Sequence, residues 1–226
     1  MYAKYIKRPL DFFLSLCAII VLSPVFLVLI ILGAIMMKGN PFFTQLRPGK
    51  DEKIFRLIKF RTMTCEKDEN GNLLPDDVRL TKYGKFLRST SLDELPELFN
   101  IFIGDMAVIG PRPLLVRDMV FMTDIQRTRH TVRPGLSGLA QINGRNAIKW
   151  EEKFKFDLEY IEDITFFGDV KIIFLTVLKV LKREDISEEG METAEDLGDY
   201  LLKNGDVDLL TYTKNQEHAK ELMGVA

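Results

Sequence analysis

Residues Phe12–Met37 read FFLSLCAIIVLSPVFLVLIILGAIMM, a run of 26 residues without a charged side chain. An uncharged run longer than about 18 residues is typical of a membrane helix. As a straight helix it would reach about 39 Å, which exceeds the roughly 30 Å hydrocarbon core of a bilayer. Pro24 lies at its middle and removes a backbone donor, so we expect a kink at Ser23-Pro24. The Ser23 hydroxyl can there bond the carbonyl group that the proline leaves unpaired.

Basic residues flank this apolar run on both sides. Lys4, Lys7 and Arg8 precede it, and the segment from Lys38 to Arg61 carries seven basic residues against two acidic ones. Since basic residues favour the cytoplasmic side of a membrane, both ends of the helix are expected on that side. We therefore predict a re-entrant membrane helix that enters and leaves by the cytoplasmic leaflet. A tilted single span and a signal sequence are the alternatives.

The charge of the chain is unevenly distributed. Lys and Arg total 31 against 33 Asp and Glu, but residues 1–183 carry 28 basic and 21 acidic residues, and residues 184–226 carry 3 and 12. The lack of a basic excess argues against nucleic acid as a partner, and the 28% of charged residues excludes a multi-span membrane protein. Two cysteines are too few for a disulfide framework. We divide the chain into a re-entrant helix hairpin (1–40), a cytoplasmic catalytic domain with interfacial helices (41–183) and an acidic tail (184–226).

Hydrophobic periodicity predicts an α+β fold for the central part, a mainly helical globular domain with a small β-hairpin. The hairpin is expected over Pro41–Arg61, with its turn at Arg47-Pro48-Gly49-Lys50. Helices are expected over Arg79–Phe102 with an interruption at Pro96, and over Leu114–Arg129, Asn146–Ile161 and Phe166–Leu181. The last of these helices suits either the core or the membrane interface.

The stretch Ser91-Leu92-Asp93-Glu94 has two readings. It matches a capping box, in which Ser91 caps a helix and Glu94 reaches back to it. It also places two carboxylates at a helix start, where the helix dipole favours their ionised form. Adjacent carboxylates can bind Mg²⁺ together with substrate phosphates, and one of them can act as a nucleophile.

Several cations lie near this acidic pair in the chain. They are Lys59, Arg61, Arg88, Arg112, Arg133 and Arg145. Lys59 and Arg61 share a strand face with apolar residues and so need an anionic partner. Arginine suits bidentate contacts with phosphate, although a basic surface facing anionic lipid is the alternative. The combination with a membrane helix points to phosphate-bearing substrates, one of them a lipid.

Motifs along the chain carry a resemblance to a known family. They are Lys59-Phe60-Arg61-Thr62-Met63, Ser91-Leu92-Asp93-Glu94-Leu95-Pro96-Glu97-Leu98-Phe99-Asn100, Gly104-Asp105-Met106, Gly110-Pro111-Arg112-Pro113, Arg133-Pro134-Gly135 and Ala140-Gln141-Ile142-Asn143-Gly144-Arg145. In this order they resemble the bacterial sugar transferase family, the monotopic polyprenyl-phosphate phosphoglycosyl transferases, from about Lys4 to Arg183. The chain is most similar to members that transfer phospho-N,N′-diacetylbacillosamine, and it departs from many members at Leu139, where they have Trp.

The resemblance implies a two-step reaction at the cytoplasmic face of the bacterial inner membrane. Asp93 would attack a UDP-sugar, such as UDP-N,N′-diacetylbacillosamine, with Glu94 as partner carboxylate and with Mg²⁺ held by both. Undecaprenyl phosphate would then accept the phosphosugar, and downstream glycosyltransferases would use the product. The implied phosphate- and nucleotide-binding residues are Lys59, Arg61, Arg88, Arg112, Arg133, Gln141, Arg145 and Asp157.

Two alternatives to this function stay open. One is a capsule or O-antigen initiator that uses UDP-glucose or UDP-galactose. The other is a non-catalytic, membrane-anchored adaptor that binds phosphoglycans or lipid with the same cations.

Overall fold

The structure is a computed structural model that describes residues 1–144, 148–182 and 195–224. The α+β fold expected from the sequence is confirmed, with small sheets among many helices. The helices are α1 Lys7–Met36, α2 Asp76–Arg79, α3 Lys82–Ser89, α4 Glu97–Ile103, α5 Val116–Met119, α6 Asp124–Arg127, α7 Leu139–Ile142, α8 Trp150–Glu162, α9 Phe166–Lys182, α10 Leu197–Asn204 and α11 Leu209–Met223. The strands are β1 Phe42–Pro48, β2 Ile54–Phe60, β3 Ala107–Ile109 and β4 Gly135–Ser137.

Helix α1 runs through Pro24 without ending there. Proline has no N–H group, so the carbonyl of Ile20, four residues earlier, loses its helical donor. The Ser23 hydroxyl donates to this carbonyl oxygen at 2.8 Å. The expected compensation by Ser23 is therefore confirmed, and it explains how an uncharged helix tolerates the proline.

One face of α1 packs on the rest of the protein along its length. Its buried residues are Asp11, Ser15, Phe26, Leu29 and Gly33. Near the first end the Asp11 carboxylate accepts the backbone N–H of Val108 at 3.1 Å, and near the second end the Tyr83 hydroxyl donates to the Leu29 carbonyl at 3.0 Å. Within the described residues, Tyr2–Met36 is the helix that is long and apolar enough to cross a membrane. Both ends of that helix thus contact the same domain.

Strands β1 and β2 form the expected antiparallel hairpin, with Phe42 opposite Phe60 and Pro48 opposite Ile54. Strand β2 ends at Phe60, which is buried beside the half-buried Lys59, so the predicted alternation does not extend to Arg61. The Asn100 side chain ties α4 to β2. It accepts the N–H of Ile58 at 3.1 Å and donates to the Arg56 carbonyl at 2.9 Å.

The parallel pair of β3 and β4 is not predicted by the sequence, because three residues are too few to show a strand periodicity. It places the Gly110-Pro111-Arg112 segment beside Arg133-Pro134-Gly135. A Cβ atom on Gly135 would lie 2.1 Å from the backbone nitrogen of Gly110. The two motifs therefore approach each other more closely than any side chain allows.

Two of the expected helices are more interrupted than predicted: the break at Pro96 is confirmed, since α4 begins at Glu97, but further breaks occur. Residues 79–102 contain α3, a break at Ser91, a single 3₁₀ turn over Leu92–Glu94 and then α4. Residues 114–129 contain the short helices α5 and α6. Helix α9 agrees with its expected range, and α8 begins at Trp150 rather than at Asn146, which lies outside the described residues.

The described part of the acidic tail folds onto the domain. The Asp118 carboxylate accepts the backbone N–H of Leu197 at 3.0 Å, and Leu197 is buried in a cluster with Phe121 and Trp150. In α11, Ala219 is buried against α5. Residues 195–224 are therefore packed helices rather than a solvated extension.

We predict that single cysteines at Lys4 and Lys38, in a variant without Cys17 and Cys65, react with a membrane-impermeant thiol reagent from the same side of the membrane. The physical reason is that both ends of α1 contact one domain. Labelling of intact and permeabilised cells shows the side of the membrane from which each cysteine reacts. A cysteine at position 203, on the exposed Lys203 of α10, is the control for the side on which the domain lies. Labelling of positions 4 and 38 from opposite sides would show a transmembrane span.

Candidate active site

The acidic pair lies in a short 3₁₀ turn between α3 and α4. Ser91 precedes it with a φ of 55° and a ψ of 19°, the left-handed region, which costs a residue other than glycine roughly 1–2 kcal/mol. The Ser91 side chain makes no capping hydrogen bond to this turn. The capping-box reading is therefore wrong, and the left-handed Ser91 instead separates α3 from the 3₁₀ turn that carries both carboxylates.

Glu94 is held by two cations from distant parts of the chain. Its Oε1 accepts a hydrogen bond from Lys59 Nζ at 2.8 Å and from Arg112 Nη2 at 2.7 Å. Burial by itself favours the protonated acid, but the charges of Arg112 and Lys59 and their hydrogen bonds hold the pKa of Glu94 far below its ordinary value. Glu94 is thus a permanent anion, and the semi-buried Lys59 has the anionic partner that the sequence predicts.

The carboxylate of Asp93 has a different environment from that of Glu94. No other described residue donates a hydrogen bond to its carboxylate. Burial and the negative charge of Glu94 raise the pKa of Asp93 from 3.8 to about 6, although the charges of Lys59, Arg88 and Arg112 act against them. At neutral pH Asp93 is therefore an ionised carboxylate that is poorly solvated and accepts no hydrogen bond from the described residues.

Glu97 is a third carboxylate of this cluster. It is buried at the start of α4, and its Oε1 lies 3.2 Å from Lys59 Nζ. Burial and the charge of Glu94 raise the pKa of Glu97 to about 7, against the opposing charge of Lys59. The sequence assigns no role to Glu97, since a single acid in a helix start gives no sign of burial beside other carboxylates.

Arg112 is positioned by a buried ion pair behind it. Arg129 donates to the Arg112 carbonyl oxygen at 2.7 Å. The guanidinium of Arg129 also bonds the Asp157 carboxylate at 2.7 and 2.9 Å, with both side chains almost fully buried. The sequence expects Asp157 to bind substrate, but the structure places it behind the site as a support. Sequence reasoning misses Arg129, because its neighbours in the chain, Thr128 and His130, are polar and give no sign that it is buried.

Of the other cations expected at the site, Arg88 lies near Asp93 and Arg133 lies at the end of α4. Arg88 donates through Nε to the Thr62 hydroxyl at 3.2 Å, and its charge acts on Asp93. Arg133 donates to the Gly104 carbonyl at 2.7 Å, at the end of α4 where Arg8 also binds two carbonyl groups. Arg133 therefore serves the C-terminal end of that helix, where the dipole favours cations.

Three expected residues stand apart from the carboxylates or cannot be placed. The backbone of Arg61 bonds the Pro41 carbonyl at 2.7 Å, and no ion pair joins its side chain to the cluster in the part of the chain that the structure describes. Gln141 is buried and lines a cavity next to Arg112, with no partner for its amide atoms among the described residues. Arg145 lies outside the described residues.

The bacterial sugar transferase family matches residues 2–183. This range covers the membrane helix, the acidic cluster and α9. The chain belongs to the bacterial sugar transferase family. The family match ends at residue 183. The C-terminal helices α10 and α11 of this sugar transferase therefore lie outside the matched region.

Individual relatives agree with this assignment. EpsL of Bacillus subtilis, described as an uncharacterized sugar transferase, is 52% identical over 171 residues, which cover 75% of this chain and 85% of EpsL. The UDP-glucose:undecaprenyl-phosphate glucose-1-phosphate transferase of Klebsiella pneumoniae is 43% identical over 183 residues, 76% of this chain but only 39% of the relative. The exopolysaccharide production protein ExoY of Sinorhizobium fredii is 34% identical over 192 residues, 76% and 83% of the two chains.

The carboxylates of this sugar transferase fit a magnesium ion only together with a substrate. Nowhere in residues 1–144, 148–182 and 195–224 do three or more His, Cys, Asp or Glu side chains form a metal-binding group. Asp93 and Glu94 supply two carboxylates, and Oε1 of Glu94 already accepts two hydrogen bonds. Mg²⁺ often binds through one or two carboxylates and completes its shell with phosphate oxygens and water. The donor set is therefore sufficient for Mg²⁺ bound with a diphosphate.

We predict that Asp157→Asn lowers the free energy of unfolding by about 3–5 kcal/mol, because it leaves Arg129 as an unpaired buried charge. Chemical unfolding in detergent, followed by circular dichroism, measures the change. Glu195→Gln breaks the solvent-exposed pair with Lys203 and is the control, with a loss of about 0–1 kcal/mol. An Asp157→Asn variant of normal stability with a raised KM for the UDP-sugar would instead indicate substrate binding by Asp157.

Proposed function

We propose that this protein transfers a sugar 1-phosphate from a UDP-sugar to undecaprenyl phosphate through a covalent intermediate on Asp93. The observation that carries the proposal is the unequal environment of two adjacent carboxylates. Glu94 is fixed by two cations, whereas Asp93 is ionised at neutral pH and accepts no hydrogen bond from a described residue. A nucleophile must be ionised and available, and Asp93 meets both conditions.

In the first step a carboxylate oxygen of Asp93 attacks the β-phosphorus of the UDP-sugar. A bond forms between this oxygen and phosphorus, and the bond from phosphorus to the bridging oxygen breaks. UMP leaves with the bridging oxygen and its electron pair, and the sugar phosphate stays on Asp93. Arg112 and Arg88 lie near enough to act on the charge of Asp93, so they can also stabilise the negative charge of the diphosphate.

In the second step a phosphate oxygen of undecaprenyl phosphate attacks the same phosphorus. The bond between phosphorus and Asp93 breaks, which restores the carboxylate and releases the polyprenyl diphosphosugar. No net proton transfer is needed in either step, because each nucleophile is an anion. This agrees with a partner carboxylate, Glu94, that stays ionised and cannot donate a proton.

The proposed role of Glu94 is to orient cations rather than to transfer protons. It holds Lys59 from β2 and Arg112 from the segment after β3 on one oxygen atom. Arginine binds phosphate through a planar fork of N–H groups, so its orientation decides whether it meets the substrate. Replacing Glu94 would leave both cations present but unaligned.

We propose Mg²⁺ as the cofactor, with Asp93 and Glu94 as the residues that would hold it. Three cations, Lys59, Arg88 and Arg112, face the three carboxylates of the cluster, so little positive charge remains for a diphosphate. A bound Mg²⁺ would supply this charge and stabilise the leaving phosphate. Arg88 and Arg112 would bind and orient the diphosphate next to the Mg²⁺ ion.

Two classes of donor sugar are proposed. The sequence resemblance favours UDP-N,N′-diacetylbacillosamine. Relatives from Klebsiella pneumoniae and Escherichia coli are named for transfer of glucose 1-phosphate from UDP-glucose, and this favours a hexose donor for the start of a polysaccharide. A panel of UDP-sugars assayed for UMP release in the presence of undecaprenyl phosphate decides between them.

We propose that the enzyme acts at the cytoplasmic face of the inner membrane as a monotopic protein. The outward side of α1 exposes apolar residues such as Phe13 and Leu27, and α9 exposes Phe167 and Phe174. An apolar helix face with lysines at its border is typical of a helix that lies in the membrane interface next to anionic lipid. The product would pass to downstream glycosyltransferases on the same face.

We predict that Asp93→Asn abolishes both covalent labelling by a UDP-sugar radiolabelled in the sugar and release of UMP. The amide keeps the shape of the carboxylate but loses its nucleophilic oxygen. Asp124→Asn, at the exposed start of α6, is the matched control and should keep both activities. Normal turnover by Asp93→Asn would refute the nucleophile, and a wild-type protein that releases no UMP from any donor would point to the adaptor.

We predict that labelling at limiting UDP-sugar and Mg²⁺, where the rate reports the free enzyme, slows as the pH falls through about 6, the pKa of Asp93 without bound metal, rather than near the ordinary carboxylate value of 3.8. Protonation removes the nucleophile, so the rate is highest above this pH. Glu94→Gln removes the negative charge that helps to raise the pKa, so it should move the midpoint to lower pH even if the maximal rate falls. The pH profile of single-turnover labelling measures both. An unchanged midpoint in Glu94→Gln would contradict the electrostatic coupling.

A further inference from the structure

A cavity of about 240 Å³ connects the acidic cluster with α9. At one end it is lined by Ser91, Glu94 and Arg112, and at the other by the α9 residues Ile173, Val177 and Val180. Its walls between these ends are mainly aliphatic. They include Leu95 from the turn before α4, Val108 and Ile109 from β3, Leu136 from β4 and Ile142 from α7. Four further polar residues line it: Ser137, Gln141, Thr176 and Lys179, the last two from α9. The cavity is thus charged where it meets the site, and towards α9 its lining is mainly aliphatic with Thr176 and Lys179 among it.

The α9 end of the cavity lies on the side of the helix that faces the domain, where the Thr176 hydroxyl bonds the Ser137 hydroxyl of β4. Val177 lines the cavity and is 51% exposed, so it belongs both to the cavity and to the outer surface of α9. Phe174, Leu178 and Leu181 are exposed on the same helix. An apolar molecule lying along this surface can therefore reach the cavity beside Val177, where Lys179 is the charged α9 residue of the lining.

Helix α9 is also fastened next to the membrane helix. The ring of Tyr2 contacts the ring of Phe166 with centroids 5.8 Å apart, and Lys7 forms an ion pair with the buried Asp169 of α9. The first turns of α1 and α9 are therefore neighbours. A lipid in the bilayer that surrounds α1 can reach α9.

The residues that line the cavity indicate which class of ligand it can bind. A sugar or a nucleotide in this space would bury many hydroxyl and amide groups against walls that are mainly aliphatic, and polar groups left unpaired there are costly to bury. A long isoprenoid chain ending in a phosphate matches the cavity at both ends. Its methyl-branched carbons fit the aliphatic walls, and its phosphate meets Arg112, whose guanidinium has donors beyond the one that binds Glu94.

We propose that this cavity is the binding site for the phosphate-proximal isoprene units of the acceptor lipid, with Val177 at its entrance and Arg112 at its phosphate end. The rest of the chain lies in the bilayer beside α9, since the cavity is smaller than the roughly 300–1,000 Å³ of a site for a whole drug-sized ligand. The UDP-sugar then approaches Asp93 from the side of Arg88 and Thr62. This inference rests on the proposed function, because it assigns a place to the second substrate of that reaction.

The test compares two substitutions of the same kind on the same helix. Val177→Trp fills the entrance, whereas Val170→Trp, the control, changes a valine that is 46% exposed and does not line the cavity. We expect Val177→Trp to keep covalent labelling by the UDP-sugar and to raise the KM for undecaprenyl phosphate about tenfold or more, as expected for a filled apolar pocket. Val170→Trp should behave as the wild type in both reactions.

The outcomes separate the two proposals. Equal KM values for the acceptor in Val177→Trp and Val170→Trp would overturn the cavity assignment while leaving the reaction intact. A wild type that is not labelled by any UDP-sugar would overturn the proposed function itself. If Val177→Trp loses labelling as well, the smaller change Val180→Phe at the same cavity replaces it, and an unchanged acceptor KM in that variant counts against the proposal.

A binding measurement gives a second readout that does not depend on turnover. In a variant without Cys17 and Cys65, a cysteine at position 177 should react with a maleimide, and farnesyl phosphate should slow this reaction. A cysteine at position 170 should react at the same rate with and without farnesyl phosphate. Inorganic phosphate should protect neither position. Protection of position 177 by UDP-sugar alone, or of both positions equally by farnesyl phosphate, would contradict a lipid site at the cavity entrance.

Discussion

One carboxylate oxygen of Glu94 joins three separate parts of the chain. It accepts hydrogen bonds from Lys59 at the end of the hairpin and from Arg112 after β3, while Glu94 itself belongs to the turn before α4. A half-buried cation without an anion would be costly, and so would a buried anion without a cation. The hairpin, the strained turn and the segment around Arg112 must therefore be in place together. The other features of the site depend on this junction.

The junction also makes the two acids different. Because both hydrogen-bonding cations go to Glu94, its charge is stabilised, and the adjacent Asp93 experiences that charge together with burial. Neighbouring carboxylates with different partners commonly divide into an ion that orients other groups and a group available for chemistry. The same residue type thus takes two roles, decided by which neighbours reach each side chain.

The membrane helix is part of the domain rather than a separate attachment. Arg8 donates to the carbonyl oxygens of Ile101 and Phe102 at the end of α4, and Glu97 at the start of α4 contacts Lys59. Helix α4 therefore contacts the acidic cluster through its first turn and α1 through its last turn.

The sequence by itself determines the features that depend on local order. An uncharged run with Ser23 and Pro24 specifies a long apolar helix with a compensated proline, alternation indicates the hairpin, and a strongly apolar stretch indicates α9. The motif around Asp93 and Glu94 identifies the acidic pair. Only the tertiary structure decides how α1 packs, that Asp157 supports Arg112 through Arg129, that Arg133 binds the end of α4, and that β3 pairs with β4. Each of these is a contact between residues far apart in the chain, and a local pattern carries no information about which distant group a buried charge or a three-residue strand will meet.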